Sequence, residues 1–188
     1  GWPLRLGFRP GAGDPGGLAV VFGWRSKNAA GSHFEAYQDG IDAAKALLLC
    51  VEAVAAARPG EPMHFFAHSL GTHVTLHCLA EAVEQGSVIA ERLRRVVLIG
   101  GSEFSGVAFP IYNTLKEQGL LNRLAIYNVA NARDRVTKRI SELATYGPNG
   151  AKHMICHHGL KPTGGTALGN GQPGWIDLDL ANPAFRNW

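Results

Sequence analysis

No apolar stretch in this 188-residue sequence is long enough to span a bilayer, and the opening GWPLRLGFRPGAGDPGG lacks the apolar core of a secretory leader. Charge of one sign is scarce as well. The 18 Lys+Arg and 15 Asp+Glu leave a formal net charge of +3, too small and too evenly spread for a nucleic-acid stripe or a polybasic membrane patch, so neither partner is expected. Cysteine is limited to Cys50, Cys78 and Cys156. The number is odd and the first two fall in helical patterns, which argues against a disulfide framework and for a reducing, cytoplasmic setting. Internal repeats and low-complexity tracts are missing too. What remains is 46% hydrophobic residues in a length that fits one domain over residues 1–188, able to bury a core. Oligomeric state has no signature in the sequence.

Five short apolar runs punctuate the chain: LAVVFGW (18–24), MHFFAHS (63–69), RRVVLIGG (94–101), LAIYNVA (124–130) and WIDLDL (175–180). The first four are near-continuous, as strands covered on both faces of a parallel sheet must be. The fifth alternates, as an edge strand does. Ser32 followed by Glu35 has the form of a capping box, which starts a helix there. Apolar residues then recur at Phe34, Tyr37, Ile41, Ala44, Leu48, Val51 and Ala55 until RPGEP stops the helix. After residue 69, Val74, Cys78, Ala82 and Val83 repeat the helical period up to Gly86. Strands alternating with helices predict an α/β fold of three layers: a mostly parallel sheet with helices on both faces. The glycine-rich segment 146–174 reads as a long irregular excursion.

The stretch AHSLG (67–71) joins the second predicted strand to a predicted helix. A nucleophile elbow wants small residues two before and two after its serine, because strand and helix backbones approach closely at the turn. Ala67 and Gly71 meet that need around Ser69, with alanine standing where glycine is usual. Ser69 is therefore the expected nucleophile, and the Leu70 N–H an expected oxyanion-hole donor. The plainer reading makes Ser69 a helix cap. His68 packs beside the turn or lines the pocket.

In hydrolases built on such a turn, the triad runs Ser, then Asp or Glu, then His. Asp134, just past the fourth run, is the expected acid. Glu103 is its competitor, or else a pocket residue. The base is harder to find, because no histidine follows WIDLDL. It lies beyond Trp188, or it is His157 or His158, which could serve if HMIC were itself a strand. His73 and His77, four apart on a helix, could share a metal-binding face. The glutamate of an H-E-x-x-H motif is absent, however, and no metal or other cofactor is expected.

With Phe22, Trp24, Ser26, Tyr37, Asp39, Ala67 to Gly71 and Asp134, the chain resembles an alpha/beta hydrolase. The likeness is greatest to bacterial hydrolase families of unknown function that carry an AHSMG-like elbow. The resemblance implies a Ser, Asp, His triad and an upstream HG strand and loop giving a second oxyanion donor. Neither that element nor a late histidine occurs here, so the chain is expected to be a piece of a longer product, truncated at both ends. The expected function is a serine-dependent acyl hydrolase of the esterase or thioesterase type, with a small-molecule acyl substrate. Its alternatives are a non-catalytic binding or scaffold module of the same fold and a metal-dependent hydrolase using the histidines.

Overall fold

Apolar strands in chain order, each followed by a helix, assemble most simply by parallel pairing of successive strands. In the computed structural model β1 (Met63–His68), β2 (Leu93–Ile99), β3 (Ala125–Ala130) and β4 (Trp175–Asp179) form one sheet in the order β1-β2-β3-β4, with every pair parallel. The structure describes residues 2–5, 7–8, 17–26, 33–131, 133, 135, 154–162 and 172–182. Its helices are α1 (Trp2–Arg5), α2 (His33–Ala57), α3 (Gly71–Glu84), α4 (Val88–Arg92), α5 (Ser105–Glu117) and α6 (Ile155–His158). The parallel sheet with its helices is consistent with the three-layer, alpha/beta-hydrolase-like fold that the sequence implies.

Right-handed crossovers between strands taken in chain order all fall on one face of the sheet. Leu76 and Leu79 of α3 and Ala108, Ile111, Tyr112 and Leu115 of α5 accordingly bury against Ala67, Val96, Leu98, Ile126 and Trp175. The opposite row of side chains, including Phe66, Val97 and Tyr127, is exposed or half-buried. Helix α3 is sandwiched. One side meets the sheet and α5, while Val74, Cys78 and Ala82 on its other side pack against Ala44, Leu48, Val51 and Ala55 of α2. That is why Thr72 through Leu76 are buried without a break.

Helix α2 begins at His33 and ends at Ala57, where RPGEP turns the chain as expected. Ser32, the proposed cap, lies outside the described residues. Arg92 ends α4 and holds this turn: its Nη1 donates to Ala55 O at 2.7 Å, its Nε to Glu61 O at 3.1 Å, and its Nη2 to Arg58 O as well. A guanidinium at a helix end thereby satisfies carbonyls that have no intrahelical donor.

Two sequence expectations are corrected. Residues 18–24 form no strand: Leu18, Val20 and Val21 are more than half exposed, while Phe22 and Trp24 pack onto the α2–α3 cluster. A strand needs a ladder partner, and among the described residues β1 has none on its free side. Of HMIC, His153 lies outside the described residues and residues 154–156 form no strand. Met154 makes an isolated antiparallel bridge to Phe104, and Ile155 opens the single turn of α6.

The α2–α3 contact depends on a missing side chain. A Cβ on Gly40 would lie 2.5 Å from Cδ2 and 3.0 Å from Nε2 of the fully buried His73 ring. Gly40→Ala should therefore destabilise the protein by about 1–3 kcal/mol through overpacking, measured as a lowered denaturant midpoint with an unchanged slope.

Candidate active site

Parallel strands bring their C-terminal ends, and the loops that follow them, to one edge of the sheet. Ser69 follows β1 there, at φ 53°, and is the one non-glycine residue with positive φ among the described residues. A left-handed backbone costs an L-residue on the order of 1–3 kcal/mol, so the surroundings must hold it. Ser69 N–H donates to Ile99 O at the end of β2 (2.9 Å), and its carbonyl accepts from Thr72 N (3.0 Å), Thr72 Oγ1 (2.6 Å) and Ser102 N (3.3 Å). Helix capping does not account for this geometry. Leu70 occupies the cap position of α3, and no side chain caps the helix. The Ser69 hydroxyl is left facing Ser102 Oγ at 3.4 Å, a long contact that binds it weakly. Leu70 N–H stands at the first turn, where amides lack intrahelical acceptors.

Asp134 lies outside the described residues. Its neighbour Asn131, immediately after β3, is at the same edge as Ser69. Helix α6 is tied to that edge as well. Ile155 N donates to Glu103 O (3.0 Å), Asn131 N to Cys156 O (2.9 Å), and the buried Asn128 Nδ2 to both Ile155 O and Asp177 Oδ1 (2.7 Å each). The segment carrying His157 and His158 is thus held at the Ser69 end, with His157 itself buried. His68 ends β1 as an exposed residue, in register with Ile99.

Glu103 has no exposed surface, so it does not line an open pocket. It lies beneath the turn instead. Its Oε1 accepts from Tyr37 O–H (2.6 Å) and from Phe104 N–H (2.7 Å), while Oε2 is 2.7 Å from His73 Nδ1 and 3.6 Å from His77 Nε2. Burial pushes the carboxyl up, but the hydrogen bonds from His73 and Tyr37, the nearby His77 imidazole and the charge of His73 outweigh it and hold the group at about 2. Glu103 and His73 resemble the acid and base of a triad. The other ring nitrogen of His73, though, packs against Gly40 in the α2–α3 interface, away from any open site.

His73, His77 and Glu103 are also the described side chains whose donor atoms gather closely enough for a metal, all within 4.8 Å of one another. Ligands of one tetrahedral zinc stand roughly 3.3 Å apart. The 2.7 Å between Nδ1 and Oε2 is instead the length of a charge-assisted hydrogen bond, so the cluster as it stands shares protons. Sequence reasoning singled out Ser69, Leu70 and Glu103 but missed Ser102 and the Tyr37–Glu103–His73 link. The spacing of His73 and His77 was a signal for a shared face, with nothing to name Glu103 as its partner.

Residues 13–102 match the model of a family described as alpha/beta hydrolase of unknown function (DUF900). The four-stranded parallel sheet with its helices is consistent with an alpha/beta-hydrolase-like fold. The matched span contains α2, the elbow, α3 and β2 and stops one residue before Glu103. Searches of curated proteins and of solved structures returned no match.

Two outcomes follow from this geometry. Ser69→Gly removes the left-handed strain and should stabilise the fold by about 1 kcal/mol in chemical denaturation, although it deletes the hydroxyl. Glu103 is held below its unfolded value, so its stabilisation is complete above about pH 4.5 and is lost as pH falls toward about 2. Denaturation midpoints of Glu103→Gln should accordingly vary less across that window than those of the unaltered protein.

Proposed function

We propose that the protein is a serine-dependent acyl hydrolase acting on an ester or thioester, with Ser69 as nucleophile and Asp134 as the triad acid. The observation that supports this most is the left-handed backbone at Ser69, a strained conformation that serves exposure of a hydroxyl and that helix capping does not call for. Ser69 Oγ attacks the acyl carbon as its proton passes to a histidine, and Leu70 N–H donates to the oxyanion. Collapse of the tetrahedral intermediate breaks the bond to the leaving oxygen or sulfur, which takes the proton from the imidazolium. Water then repeats the sequence on the acyl-serine. Asp134 orients the imidazole and stabilises its charged form. His157 and His158 are the candidates for the base in this chain, because their segment is anchored at the Ser69 end.

An active-site fluorophosphonate should add mass to the peptide containing Ser69. Ser69→Ala, folded by its melting curve, should lose the adduct and lower esterase kcat by about 10⁴-fold or more. A folded protein that leaves that peptide unmodified would refute the reading. Loss of labelling in only one of His157→Gln and His158→Gln identifies the base.

A further inference from the structure

At the end of the sheet opposite Ser69, an open, shallow cavity of about 520 Å³ is lined by Pro62, His64, Arg94, Arg95, Arg123, Ala125 and Tyr127. His64 and Arg95 sit at the starts of β1 and β2, and Arg123 precedes β3, so the cavity lies at the N-terminal ends of the strands. The six residues of β1 separate it from Ser69, roughly 20 Å at the rise of an extended chain.

Two features set it apart from an ordinary solvated rim. The first is a break in register: Met63 pairs with Leu93 but His64 pairs with Arg95, which leaves Arg94 as an extra residue. Consecutive side chains of a regular strand point to opposite faces, and a bulge re-aims them. Here it lets both Arg94 and Arg95 line the same cavity. The second is the charge. Three arginines line the cavity with no acidic residue among the lining, and among the described residues neither Arg95 nor Arg123 has an acidic partner. Arg94 is fixed by its own backbone, its Nη1 donating to Glu91 O (2.6 Å) and Leu93 O (3.0 Å). Burial, then Arg95 and Arg94, push the His64 pKa down, so its imidazole adds no further positive charge at neutral pH.

We propose that this cavity binds a soluble organic phosphate. Planar guanidinium forks match phosphate oxygens two at a time, and an anion relieves the mutual repulsion of the three arginines. The cavity is larger than a phosphate group, and Tyr127 and Ala125 offer its organic part an apolar floor. The inference is independent of the role of Ser69.

Pyrophosphate, titrated by calorimetry at low ionic strength, is expected to saturate one site. Arg95→Gln combined with Arg123→Gln should weaken that binding by at least about tenfold, while Arg25→Gln, an exposed arginine outside the cavity, leaves it unchanged. Melting curves without ligand show that each variant is folded, and an Arg95→Lys, Arg123→Lys variant should recover part of the affinity. No saturable binding at millimolar pyrophosphate, or equal binding by the double Gln variant, overturns the proposal. Sedimentation with phosphatidylglycerol vesicles separates the sources of phosphate: no co-sedimentation is expected, and co-sedimentation abolished in the double Gln variant overturns the assignment to a soluble ligand.

Discussion

The hydrogen bond from Ser69 N–H to Ile99 O, at 2.9 Å, is where strand pairing becomes site geometry. It extends the parallel β1–β2 ladder by one rung beyond His68↔Ile99, so the strained residue is held by the sheet itself. Thr72 then fastens the other side of the peptide through its amide and its hydroxyl, which are bonds of the first turn of α3. A residue pinned by a strand on one side and a helix on the other cannot relax into the right-handed region without unmaking one of them. That is the condition under which a strain of a few kcal/mol persists in a folded protein.

The elements that were legible in the sequence are those in which one periodicity acted alone. Helix α2 shows its apolar face at the helical spacing and stops at RPGEP, and the elbow has its small residues at Ala67 and Gly71. The run at 18–24 misled because composition cannot say whether a ladder partner exists; Val21 is exposed and Trp24 turns inward with no sheet involved. Glu103 misled differently. Its place after β2 suited an acid near the site, but its destination is decided by Tyr37 and His73, which are 66 and 30 residues away. Contacts of that range leave no local trace. The arginine cavity was illegible for the same reason, since its side chains converge only through a bulge in β2 and a turn before β3.

The two ends of the sheet are built on opposite electrostatic terms. At the Ser69 end, the buried charge is an acid whose oxygens are met by donors from α2, α3 and the loop itself. At the other end, the charges are exposed arginines that the described chain leaves without acids. A buried charge must be matched within the fold, because desolvation costs several kcal/mol per ion; an exposed one can await its counterion. The asymmetry therefore divides structural from binding electrostatics, and it puts Glu103 on the structural side.

Apolar residues of the same shape could hold α2 against α3 as firmly as this network does, since a buried ionic group seldom exceeds its hydrophobic replacement in stability. What the network adds is direction. With Oε1 committed to Tyr37 and Phe104 and Oε2 to His73, the carboxylate is satisfied in one orientation, and the backbone from Gly101 to Phe104 is drawn to it. Ser102 N, in that same backbone, donates to Ser69 O, and its hydroxyl stands beside the serine oxygen. The carboxylate thus reaches the elbow through Ser102 without touching it. Its work is to set where the loop lies under the turn, a geometric task that a featureless apolar contact would leave free to slide.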